Sequence, residues 1–182
     1  MNHNEMLIAL NSVHQNYILS IASVPMFKNE SSNKILENFY ISIGNRNFDC
    51  TRILLDLSND VTHEIIINEF VKSIHRTLIC ESFELVKQYA SDTDQYENGI
   101  NIKENDVFMY TSLIRNAFSH NFKIEPIGYI KTKLKNGYVI KWRKKDITKD
   151  NIGNVLSGAD LQYSEIFQLF LDIYELADKK LI

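Results

Sequence analysis

Three polar residues within six positions hold the chemistry this chain offers: Arg115, Asn116 and His120, in the stretch SLIRNAFSHN at 112–121. An arginine presents a permanently charged planar fork that matches phosphate oxygens. An asparagine both donates and accepts hydrogen bonds, and a histidine gives or takes a proton near neutral pH. The set suits a phosphate ester. No Asp or Glu lies between Val107 and Phe122 to hold a magnesium ion, so charge developing on the phosphoryl group would be met by guanidinium, without metal or cofactor. Cleaving RNA through its own 2′-hydroxyl requires a base on that oxygen and an acid on the leaving 5′-oxygen. One such histidine per chain leaves the second proton transfer to a second copy, which a two-fold homodimer supplies.

The element that must position these groups is a helix over about 106–120. At about 100° per residue, Val107, Tyr110, Ile114, Ala117 and Phe118 share one side, with Leu113 at its edge. Arg115 falls at the margin, and Ser119, Asn116 and His120 fall on the opposite side. Asn116 and His120 are four apart and stack on adjacent turns. A face meant for water usually carries Lys and Glu, yet only Arg115 is permanently charged from Val107 through Phe122. Small uncharged polar groups around one arginine can lie against a symmetry mate, where a lysine and glutamate face would resist. Asn121 is a candidate left-handed cap, with Pro126 following, so His120 sits in the last turn, where carbonyl ends favour an imidazolium.

The surrounding chain reads as further helices. Leu7, Leu10, Tyr17, Ile18 and Ile21 predict one over 5–23, closed by Pro25, and Ile35, Leu36, Phe39, Tyr40 and Ile43 another over 32–43. FDCTRILLDLS at 48–58 is ambiguous between a short helix and a connector. A long helix over 61–90, with Asp60 as its cap, carries Ile67, Phe70, Val71, Ile74, Leu78, Leu85 and Tyr89 as an apolar stripe. Residues 91–105 read as a polar loop whose DTD lacks the spacing of a calcium loop. A last helix over 160–180 places Tyr163, Ile166, Phe167, Phe170, Ile173, Tyr174 and Ala177 at core spacing. Between them, YIKTKLKNGYVIKW alternates around Asn136-Gly137, the pattern of a β-hairpin over about 127–143.

Charge is uneven. Net charge is −3, but residues 128–145 hold seven basic side chains (Lys131, Lys133, Lys135, Lys141, Arg143, Lys144, Lys145) and no acidic one. A basic element on an acidic body is an electrostatic footprint for a phosphate backbone, which makes Lys131, Lys133, Lys135, Lys141 and Arg143 candidate RNA contacts. The same lysines on a ribbon would also block edge-to-edge pairing. Tyr138 and Trp142 could stack on bases or pack on the bundle, and Arg76 is either a surface residue or a further arm of the site. At 182 residues and 45% hydrophobic the chain suits a single domain spanning 1–182. Cys50 and Cys80 sit in apolar settings and read as buried thiols. His3, His14, His63 and His75 show no metal-ligand spacing. The N-terminus lacks the marks of a signal peptide and no apolar run reaches the length of a membrane span, so a cytoplasmic protein is expected.

The residues RNAFSH, Arg115 to His120, match the R-N-x-x-x-H signature of the HEPN superfamily, and the chain resembles a stand-alone bacterial member. The motif covers six residues; the likeness in architecture extends over most of the chain. It implies an all-α, HEPN-like helical bundle, here with an inserted two-stranded β-hairpin (about 127–143), that dimerises to bring two motifs together. It also implies, as in many members, a metal-independent endoribonuclease used in defence or toxin–antitoxin systems, leaving a 2′,3′-cyclic phosphate. Carried over by position, Arg115 would bind the scissile phosphate, Asn116 would orient, and His120 would transfer the proton. Some members are non-catalytic modules that bind nucleotide or protein, and that reading stays open. No Gly-Ser nucleotidyltransferase motif is present, so an antitoxin or regulatory protein of that kind would be a separate polypeptide.

Overall fold

The computed structural model describes residues 1–25, 40–43, 46–49, 60–93, 102–158 and 160–181. In chain order these form α1 (His3–Ser23), β1 (Tyr40–Ile43), β2 (Arg46–Asp49), α2 (Asp60–Asp92), α3 (Asp106–Ser119), α4 (Gly128–Lys135), β3 (Ile140–Trp142), β4 (Lys145–Ile147) and α5 (Tyr163–Lys180). The described chain is thus mostly helical, with two small antiparallel hairpins. It divides into two compact units, residues 15–74 and residues 1–14 with 75–182. In the first, β1 and β2 pair from Tyr40 opposite Asp49 to Ile43 opposite Arg46. The helix expected over 32–43 is therefore a strand at its C-terminal end; residues 32–39, like most of 48–58 and the DTD loop beyond Thr93, lie outside the described residues.

The larger unit is built around α3, which packs on β3, α5 and a 3-10 turn at Ile102–Glu104. Phe108, Met109, Tyr110, Leu113, Ile114 and Ala117 are buried, as their helical spacing requires. Asn105 starts the helix, its Oδ1 accepting from the backbone N–H of Val107 at 3.0 Å and of Phe108 at 3.3 Å. At the other end Asn121 takes φ 53° and Phe122 φ 61°, and the Phe122 N–H returns to the Ala117 carbonyl at 2.7 Å. That is the left-handed cap expected from Asn121, closed by the edge of Phe122 against Phe118, with centroids 5.7 Å apart.

The region 127–143 differs from expectation. Residues 128–135 form α4, so Lys131, Lys133 and Lys135 stand on a helix and no longer alternate along one strand. The left-handed residue that Asn136-Gly137 supplies is used to end that helix: Gly137 takes φ 88°, its N–H reaches Leu134 O at 3.0 Å, and the Tyr138 N–H reaches Lys133 O at 3.0 Å. A hairpin does follow, displaced to 140–147, with Ile140 opposite Ile147 and Trp142 opposite Lys145. Its two-residue turn places Arg143 at φ 54°, a region few non-glycine residues occupy. A bidentate pair with Asp172 on α5 fixes that residue, Nε to Oδ2 and Nη2 to Oδ1 both at 2.9 Å, and the Trp142 Nε1–H donates to the same Oδ2 at 2.8 Å.

Candidate functional site

Arg115 and Asn116 meet directly. The Arg115 Nη1–H donates to Asn116 Oδ1 at 3.0 Å. Because a guanidinium has no acceptor, this contact fixes the amide orientation and turns the Asn116 NH2 away from the arginine. The other arm of Arg115 reaches α2, where Nη2 lies 2.6 Å from Glu84 Oε1. Lys87, one turn further along α2, brackets the same carboxylate at 3.6 Å from Oε2. Arg115 Nε is buried without a hydrogen-bond acceptor among the described residues.

Helical spacing puts Asn116 on the outward side of α3, yet it is only 4% exposed. A second layer covers that side. Phe83 on α2 sits with its ring 4.8 Å from that of Phe108, and the 127–130 segment closes over from α4. The lack of lysine and glutamate on this face of α3 therefore has a cause within one chain: part of the face is interior. Glu84 and Lys87, which sequence reading did not single out, belong to the site because α2 carries them there. Their only sequence signal is that Cys80, Glu84 and Lys87 recur at helical spacing on a long helix.

These side chains line a pocket of about 290 Å³. Phe83, Phe108, Ile127 and Ile130 supply its apolar wall, while Lys87, Lys103, Arg115, Asn116, Ser112 and Glu84 supply its polar groups. The lining thus holds three cations and one carboxylate, and that carboxylate contacts both Arg115 and Lys87. Cys80, one turn before Glu84, is half-buried, and burial raises its thiol pKa against the lowering pull of Arg115 and Arg76. Arg76 is exposed on that same stripe of α2, close enough for its charge to be felt by Cys80.

His120 stands apart from this pair. It is the C-cap of α3, exposed, and among the described residues its ring makes no hydrogen bond to Arg115 or Asn116. The basic residues separate into two groups. Lys133 is engaged within the fold: its Nζ lies 5.0 Å from the Tyr129 ring centre and 4.5 Å from that of Tyr138, and the Tyr129 hydrogen bond leads the effects that raise its pKa. Those tyrosines in turn donate to Glu104 and Asp106, each at 2.9 Å. Arg143 is committed to Asp172, and Lys145 to Glu165 at 2.9 Å. Lys131 and Lys135 on α4 and Lys141 on β3 are exposed. Trp142 is buried against Tyr110, with centroids 5.1 Å apart, so it packs on the bundle and is not a surface for bases.

Among the described residues no helix is long and apolar enough to cross a membrane. Comparison of the chain with protein-family models, with curated proteins and with solved structures yields no match.

Proposed function

We propose that the chain is a metal-independent endoribonuclease of the HEPN type, working as a homodimer whose site combines Arg115, Asn116 and His120 from two copies. The observation that carries this reading is the joined Arg115–Asn116 pair on the wall of a cationic pocket, with an exposed histidine ending the same helix. In the reaction, one His120 takes the proton of the ribose 2′-hydroxyl as that oxygen bonds to phosphorus. The partner copy's histidine gives a proton to the 5′-oxygen as its bond to phosphorus breaks. Arg115 stabilises the added charge on the phosphoryl oxygens, and Asn116, by accepting from Nη1, holds the guanidinium plane. A role in defence or in a toxin–antitoxin pair, with the neutraliser a separate polypeptide, belongs to the same reading.

The second reading is a non-catalytic dimeric module that binds nucleotide or a protein partner through this face. It is favoured by the 2.6 Å contact of Glu84 with Arg115, which leaves the guanidinium already neutralised in the single chain. The test is RNA cleavage in EDTA by wild type and His120→Ala. Wild type is expected to leave 2′,3′-cyclic phosphate ends and the variant none, while an inert wild type, or identical products from the variant, selects the binding module.

A further inference from the structure

The pocket beside Arg115 offers more than a phosphate ion can use. Its wall of Phe83, Phe108, Ile127 and Ile130 is apolar, and Phe83 and Phe108 are 5% and 3% exposed. The pocket is also lined by an amide whose donor the chain leaves unused. The Asn116 Nδ2–H2 has no acceptor among the described residues, although the side chain is almost wholly buried and its oxygen is held by Arg115. Arg115 Nε also lacks an acceptor among the described residues, but it is closed off behind the pocket wall. An unpaired amide donor on a side chain this enclosed marks where a ligand acceptor can be seated.

We infer that this pocket seats a nucleotide, its base against the Phe83–Phe108–Ile130 wall and a base acceptor on Asn116 Nδ2, with its phosphate between Arg115 and Lys87. The volume, about 290 Å³, lies at the lower end of small-ligand pockets and holds one base with its sugar. The phosphate displaces the Glu84 carboxylate from Arg115, exchanging one anion for another. Ser112, whose hydroxyl lines the same pocket from α3, is a specificity-determining position. The inference rests on the nuclease reading only for its phosphate site: in an RNA chain the base in the pocket is that of a nucleotide flanking the cut, which makes cleavage base-selective.

The test is calorimetric titration of wild type with nucleoside 3′-phosphates, nucleoside 5′-phosphates, the free nucleosides and inorganic phosphate. One class of nucleotide is expected to bind at least about tenfold more tightly than inorganic phosphate, the equivalent of about 1.4 kcal/mol, and the 3′ and 5′ arms tell which flanking nucleotide it represents. Ser112→Leu, which narrows the pocket, is expected to bring nucleotide affinity down to that of inorganic phosphate measured on the same variant. Arg115→Ala is expected to weaken both. Equal affinity of wild type for nucleotide and phosphate overturns the inference even if Ser112→Leu fails to fold, and so does a folded Ser112→Leu that keeps the preference. An RNA-inert wild type that still prefers nucleotide sinks the nuclease and leaves the pocket standing; an active nuclease without that preference does the reverse.

Discussion

Arg115 is the residue on which the site turns, and its present partner is an acid on another helix. The Arg115–Glu84 contact is about one-third exposed on the arginine side and somewhat more on the glutamate side, so solvent weakens it and its contribution to stability is within about 1 kcal/mol. Removing the negative charge while keeping the shape should therefore cost the fold little and release the guanidinium. Glu84→Gln is expected to bind inorganic phosphate about three- to tenfold more tightly, read by titration; weaker binding would mean that Glu84 helps hold the ligand. A second residue-scale prediction concerns His75, which is buried edge-on to Tyr163. Burial disfavours its charged form and lowers its pKa below the ordinary 6.5. As pH falls the unfolded chain takes up this proton first, so the stability contributed by neutral His75 is complete above about 6.5 and is lost as pH drops through the lowered value. The melting temperature of His75→Phe should fall less than that of wild type between about pH 7.5 and pH 5.

At the scale of elements, the long helices were legible because one face repeats over many turns. Their boundaries agree closely: 61–90 is observed as Asp60–Asp92, 106–120 as Asp106–Ser119, and 160–180 as Tyr163–Lys180. The short basic region was not legible in the same way. Asn-Gly signals only that a residue with positive φ is wanted, and a hairpin turn and a helix C-terminus both want one. What decides between them is Leu134: it is fully buried as a helical residue, while its neighbours Lys133 and Lys135 are not. Gly137→Ala should consequently destabilise by about 1 kcal/mol through backbone strain alone, since a Cβ there meets nothing within 4 Å at φ 88°. Gly158→Ala, where space is equally open and φ is ordinary, should be neutral or stabilising by up to about 1 kcal/mol. Urea unfolding of the two variants reads the difference, and an equal loss in both would argue against the helix-ending role of Gly137.

For the whole molecule the uneven charge has two outcomes. Arg143, Lys145 and Lys133 spend their charges on Asp172, Glu165 and the tyrosine pair, tying the hairpin and α4 into the larger unit. Lys131, Lys135 and Lys141 stay exposed, and under the proposed function they are the side chains open to an RNA backbone. The proposed reaction needs two histidines, and His120 is exposed at the end of α3, where a second copy could face it. If so, activity belongs to the dimer: specific activity on RNA should fall as the protein is diluted through its dissociation range, in parallel with the dimer fraction measured by light scattering. Specific activity that is constant while the dimer dissociates would place the whole site within one chain.

The amino-acid order alone determined the helices with strong periodicity, the left-handed cap at Asn121 and the presence of an arginine, an amide and an imidazole on one stretch of helix. These follow from local rules of spacing and backbone conformation that neighbours in sequence enforce. Only the tertiary structure decided that Glu84 and Lys87 meet Arg115, that Asn116 is interior, and that Arg143 is held by an acid on the last helix. Those outcomes depend on which faces of distant helices come together, and an isolated helix cannot distinguish a polar side turned to water from one turned to a second layer of protein.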